Sequence, residues 1–164
     1  MQYIIDANNL AGKMGLLKEE NFDKMLLKEL SKFFSKRKCG FYLVFDSADP
    51  MGDKYKEREN VTVIYTPRDN YYKSADDKIL EVLARVLKED EVSLITNDRD
   101  LKKGGEKISR EMSREKYFQI EDSVDFANRV QKGKKTKNIK TKSNLNKEDV
   151  KEINKEILDK FNRI

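Results

Sequence analysis

Five aspartates stand where apolar runs end or a helical pattern begins. Asp6 closes Gln2-Tyr3-Ile4-Ile5, Asp46 closes Phe41-Tyr42-Leu43-Val44-Phe45, and Asp98 follows Val92-Ser93-Leu94-Ile95-Thr96-Asn97. Asp76 and Asp77 open a helical pattern just after Ser74-Ala75. Carboxylates gathered in one cleft repel one another unless a cation lies between them. All-oxygen ligands favour hard ions, Mg2+ or Mn2+, over zinc. Such an ion makes water a competent nucleophile near neutral pH and stabilises a phosphoryl transition state. The chain has no histidine, which removes Ser-His and Cys-His mechanisms and the commonest general base. Hydrolytic chemistry must then run on carboxylates, lysines or a metal ion. Each aspartate taken singly has a structural use as well: a turn at Asp46-Ser47, charge at a helix start for Asp76, a cap at Asp98 or Asp100. Their recurrence at successive strand ends favours one shared site.

Positioning them requires strands that end together. The runs at 2–5, 41–45, 61–65 and 92–96 read as buried strands. A helix is expected at 21–38, where Phe22, Met25, Leu26, Leu30, Phe33 and Phe34 recur at steps of three and four. A second is expected at 75–88, with Ser74 as N-cap and Ile79, Val82, Leu83, Val86 and Leu87 as its buried stripe. The remaining expectations are a loop through Gly12 and Gly15, a polar loop at 47–60, and a short helical or irregular stretch reaching Gly104-Gly105. A weak fifth strand is expected at 107–109, a short helix capped by Ser113, and a helix at 122–131. Strands that alternate with helices and read as continuous apolar runs imply an α/β fold with a parallel sheet covered on both faces. In such a sheet the strand ends share the C-terminal edge, where ligands bind.

Charge is unevenly spread. Of 164 residues, 40% are charged and 37% apolar, and the net charge is +5. Residues 131–164 hold 11 basic and 5 acidic residues, net +6, which leaves 24 basic and 25 acidic in 1–130, net −1. The expected organisation is a domain at 1–131, a basic linker at 132–145 carrying Lys134 and Lys135, and an amphipathic helix at 146–164. A basic tail on a neutral body points to a polyanion partner. The loop Pro67-Arg68-Asp69-Asn70-Tyr71-Tyr72-Lys73 has the rings and cations that suit an unpaired RNA strand, and Arg99 lies between two aspartates where a phosphate could meet it. No apolar run approaches the ~20 residues that span a bilayer. The first residues lack the regions of a signal peptide, and the single cysteine, Cys39, fits a reducing compartment. A cytoplasmic protein is therefore expected.

The ordered set Ile5-Asp6-Ala7-Asn8-Asn9-Leu10, Val44-Phe45-Asp46, Ser74-Ala75-Asp76-Asp77-Lys78-Ile79 and Thr96-Asn97-Asp98-Arg99-Asp100 resembles the NYN branch of the PIN-like nucleases, and within it the YacP-like family. The stretch Ile108-Ser109-Arg110-Glu111-Met112-Ser113-Arg114-Glu115 resembles that family's segment after the fourth strand. The resemblance covers about 2–128. It implies a PIN-like, three-layer fold with a sheet of order 3-2-1-4-5 and endoribonuclease activity. Asp6, Asp76 and Asp98 match its metal-binding acids, Asp46 the acid after the second strand, and Asp100 a further acid. Asn8 matches a polar residue that would orient phosphate or water. The resulting expectation is a metal-dependent endoribonuclease acting on single-stranded RNA. The alternative is a catalytically degenerate module that binds RNA or the ribosome. A phosphoaspartate phosphatase is disfavoured, because Asp6-Ala7-Asn8 lacks a second acid two residues on.

Overall fold

A computed structural model of the chain describes residues 1–47, 51–67 and 72–142, with side chains described as far as 132. Strand β1 (Gln2–Asp6) leads into helices α1 (Ala7–Lys13) and α2 (Phe22–Phe34), and then into β2 (Gly40–Asp46). Strands β3 (Asp53–Arg58) and β4 (Val61–Thr66) precede α3 (Ala75–Val86) and β5 (Val92–Ile95). Helix α4 (Arg99–Glu111), a 3-10 turn at Glu115–Tyr117, β6 (Phe118–Glu121) and α5 (Ser123–Lys142) complete the described chain. A compact body comprises Met1–Val130.

The six strands form one sheet in the order β3-β4-β2-β1-β5-β6. All neighbouring pairs are parallel except β3 with β4. Side chains alternate across a strand, and the sheet's two faces follow that rule. Ile5, Leu43, Phe45, Val63 and Ile95 pack with Leu10, Leu26, Leu30, Phe34 and Phe126. Ile4, Val44, Ile64 and Leu94 pack with Ile79, Val82, Leu83 and Leu101. Helices α1, α2 and the start of α5 thus cover one face, and α3 and α4 the other. This is why the four interior strands, β1, β2, β4 and β5, are mostly apolar rather than alternating.

The sheet departs from the expected five-stranded parallel one of order 3-2-1-4-5. The polar loop expected at 47–60 contains β3, an antiparallel edge strand. Its sequence DKYKER is exposed except for the half-buried Tyr55, and the charges that hid it from a search for apolar runs are what an edge strand needs to avoid pairing with another chain. No strand forms at 107–109. Instead α4 passes through Gly104 and Gly105, and the parallel edge strand is β6. These glycines permit close approach: a Cβ on Gly104 would lie 2.9 Å from Leu80, and one on Gly105 would lie 2.8 Å from Phe118. The expected loop after β1 is α1, which Asp6 caps by accepting from the Asn9 amide at 3.1 Å. Ser113 does not cap a helix; it takes a positive φ of 53° before the 3-10 turn.

Helix α5 runs from Ser123 to Lys142, past the expected end at 131 and through most of the expected linker. Lysine and glutamine are good helix formers, and a helix already nucleated on a docked first half propagates easily. The expected terminal helix at 146–164 lies outside the described residues.

Phe126 fixes the start of α5. Its fully buried ring lies 5.7 Å from Phe33, 6.1 Å from Tyr3 and 6.2 Å from Phe34, centroid to centroid. Phe126→Ala should cost about 3–5 kcal/mol, read from urea unfolding. The neighbouring exposed Val124→Ala should stay within about 0.5 kcal/mol of the parent.

Candidate functional site

Three strands and two helices deliver the carboxylates to the C-terminal edge of the sheet. Asp6 ends β1 and Asp46 ends β2, while Asp98 follows β5 and serves as the N-cap of α4. Asp76 lies in the first turn of α3. The N-termini of α1, α3 and α4 therefore all meet the acidic edge, and their partial positive charge is what makes a carboxylate tolerable there.

Asp6 is the buried member, only 8% exposed. One of its oxygens accepts from the Asn9 amide at 3.1 Å and the other from the Thr96 hydroxyl at 3.0 Å. Thr96 in turn accepts from the Asp98 amide at 3.1 Å. One oxygen of Asp98 accepts from the amides of Asp100 and Leu101, at 2.8 and 2.9 Å. Asp46 accepts from the Ala75 amide at 2.9 Å. That bond ties the end of β2 to the start of α3 and does the capping expected of Ser74, whose side chain makes no cap bond. No hydrogen-bond donor among the described residues holds the Asp76 carboxylate.

The electrostatics follow from this packing. Burial pushes the Asp6 carboxyl above its ordinary range, and the charges of Asp46 and Asp98 push it further, against the hydrogen bonds from Asn9 and Thr96. Asp76 is pushed up to about 6, first by burial and then by Asp6, Asp98, Asp46 and Asp77. Asp6, Asp46, Asp76 and Asp98 thus share one field. Among the described residues no group of three or more His, Cys, Asp or Glu side chains is spaced to hold an ion as placed. The donor set nevertheless fits a hard divalent ion in chemistry: it is all oxygen, mutually repelling and partly without hydrogen-bond partners.

Other expected site residues fare differently. Asp100 is drawn away from the other acids: its side chain is 93% exposed and lies 3.5 Å from Lys103. The helix turns its side chain outward two positions after the cap. The side-chain oxygen of Asn8 accepts from the Asp46 amide at 3.1 Å, so it buttresses β2. Tyr72 packs on α3: its hydroxyl donates to Glu81, and Lys78 Nζ lies 2.9 Å from that hydroxyl and 4.6 Å from the ring centroid. Lys73 is exposed, and its amide donates to Asp77 at 2.9 Å. Arg99 is exposed at the first position of α4. Arg68 and Tyr71 lie outside the described residues. Lys134 and Lys135 lie within α5, where only the backbone is described.

Sequence reasoning missed Thr96, Asn9 and Asn97. Asn9 accepts from the Asn97 amide at 3.3 Å, and Asn97 accepts from the Ser123 amide at 2.7 Å, which ties α1, the end of β5 and the start of α5 together. The available signal was the uncharged polar pairs Asn8-Asn9 and Thr96-Asn97 beside the acids.

Fold and site together define a three-layer α/β domain with a carboxylate-lined C-terminal sheet edge. The chain belongs to the YacP-like NYN domain family, whose model matches residues 3–164. That span runs past 128, so the arm and the terminal stretch fall inside the family's match. Membership supports a PIN-like fold and implies a nuclease-like, RNA-related function. Searches of curated proteins and of solved structures returned no match. No helix among the described residues is long and apolar enough to cross a membrane.

Two predictions follow from this geometry. Asp76 binds its proton more tightly folded than unfolded, so between its ordinary value of 3.8 and about 6 the native state holds more protons. Stability in EDTA should therefore fall as pH rises through that window and stay lower above it. Asp76→Asn should reduce the fall, leaving the smaller part due to Asp6, and raise the urea midpoint at neutral pH. Thr96→Val removes a buried donor from the Asp6 carboxylate and should cost about 1–3 kcal/mol, while Thr96→Ser should retain most of the stability.

Proposed function

We propose that this protein is a metal-dependent endoribonuclease that cuts single-stranded RNA at the acidic edge. The observation that carries the proposal is the convergence of Asp6, Asp46, Asp76 and Asp98 into one electrostatic field. These four would hold Mg2+ or Mn2+. When bound, that ion supplies Lewis acidity toward a phosphodiester and lowers the pKa of water.

The chain's own residues do the positioning. Asn9 and Thr96 fix both oxygens of Asp6, and Asn8 and Ala75 fix Asp46 through its amide and its carboxylate. Asp98 commits one oxygen to the start of α4, and the other remains for a ligand. Asp76, with a proton affinity near pH 6, gives up its proton when a cation binds, so metal affinity rises across that pH. Arg99 and Lys73, exposed at the helix starts, would meet phosphates. RNA is the proposed substrate, the cytoplasm the proposed location, and Asp100 a peripheral acid at most.

A second reading is a noncatalytic module that binds RNA or the ribosome. Its support is that the described carboxylates are not spaced as a ready coordination shell.

Mn2+ or Mg2+ should raise the melting temperature of the parent, because a ligand of the native state alone stabilises it. Asp98→Asn should lose that shift and cut single-stranded RNA at least about 100-fold more slowly, given that even outer-shell partners of a metal cost 10–100-fold. Asp98→Asn cutting at the parental rate under matched metal would return the chain to the second reading.

A further inference from the structure

On the α2 side of the sheet, an open groove of about 810 Å³ lies between α2 and β3. Lys24, Lys28 and Lys32 line it from the helix, and Tyr55, Glu57 and Arg58 from the strand. The four cations are exposed, Tyr55 is half-buried, and Glu57 is the only acid among the lining residues. The body as a whole is net −1, so this concentration of charge is local. The three lysines recur every four residues and form one row along α2, about 6 Å apart at 1.5 Å of rise per residue.

The direction of the row is fixed by the register. Asp53 pairs with Tyr65 at the C-terminal edge, and Arg58 pairs with Val61 at the opposite edge. The Tyr65 hydroxyl donates to Asp23 at 2.7 Å, which holds the first turn of α2 beside the end of β4. Thr66, the next residue, pairs with Asp46. Lys24 therefore stands at the acidic edge, and Lys28, Lys32 and Arg58 lead away from it.

We propose that this groove is the track along which the RNA backbone runs to and from the acidic edge, with Lys24, Lys28, Lys32 and Arg58 meeting successive phosphates. The proposal rests on the reading of the edge as an RNA-cutting site, and adds where the rest of the strand lies. A row of evenly spaced cations with a partly exposed ring beside it is the arrangement that follows a single strand without reading its sequence.

The test compares the full chain with two triple variants of equal charge change. The groove variant is Lys28→Ser, Lys32→Ser and Arg58→Ser. The control is Lys88→Ser, Lys107→Ser and Lys116→Ser, all exposed and all on the α3–α4 side of the sheet. Binding of a labelled oligouridylate of about 12 nucleotides, a length typical of single-strand binding sites, is followed by anisotropy in EDTA at several salt concentrations. Circular dichroism confirms that each variant folds. The groove variant should bind about tenfold or more weakly, with a log–log salt slope shallower by about 2, three contacts at about 0.7 each. The control should match the parent in binding and in cutting, and Lys28→Arg with Lys32→Arg should keep parental affinity. A parent that cuts RNA with Mn2+, yet shows no binding in EDTA or loses nothing in the groove variant, overturns the track alone. Equal losses in groove and control variants also overturn it, since charge without location would then suffice. A parent that neither binds nor cuts RNA overturns both the track and the reading of the edge.

Discussion

The buried Asp6 carboxylate is the constraint around which the rest is arranged. A buried charge at the end of an interior strand of a sheet covered on both faces is costly unless hydrogen bonds compensate it. The compensation comes from two directions, the Asn9 amide at the start of α1 and the Thr96 hydroxyl at the end of β5. Thr96 passes the connection on to the Asp98 amide, and Asp98 anchors α4. One carboxylate thus sets how α1 leaves the sheet, where β5 ends and where α4 begins. The same polar chain that makes Asp6 tolerable also brings Asp98 beside it.

The two faces of the edge carry different burdens. On the β1–β5 side the acids are held by short polar links that use up most of their oxygens. On the α3 side Asp76 has burial and four like charges to contend with, and no donor among the described residues to relieve it. Electrostatic cost is concentrated on that carboxylate, so the proposed cation would relieve it most there. A site that is strained without its ligand gains the most from binding it, provided the fold is stable enough to carry the strain.

Much of this was legible from residue types. The four apolar runs became strands β1, β2, β4 and β5 because burial on both faces leaves no room for polar alternation. The aspartates at their ends could be read as a cluster because parallel strands share an edge. The failures share a cause as well. Strand β3 escaped because an edge strand is recognised by its partner, and its own residues look like a loop. The helical or irregular stretch expected to reach Gly104-Gly105 is α4, and it continues beyond them; helix propensity ranks glycine low, while the close contacts with Leu80 and Phe118 that require it are tertiary. Asp100 was expected in the site from the family resemblance alone, and its outward direction depends on its place in the first turn of α4, which the sequence does not display. Thr96 was overlooked because a threonine at a strand end is ordinary until its hydroxyl is seen on a buried acid.

The strand order has a consequence for how the molecule comes into being. Of the six strands, β1 comes first in the chain, and it sits in the interior of the sheet, between β2 and β5. Its partner on one side becomes available only when residues 92–95 exist, and the Asp6–Thr96 bond joins positions 90 apart. Contacts of such long separation form late, because loop-closure entropy must be met before they contribute. A nascent or truncated chain that stops short of β5 carries Asp6, Asp46 and Asp76, but β1 has an open apolar flank and Asp6 lacks the hydroxyl that steadies it. The acidic edge is accordingly a property of the completed body, and an incomplete chain holds its acids without the architecture that aligns them.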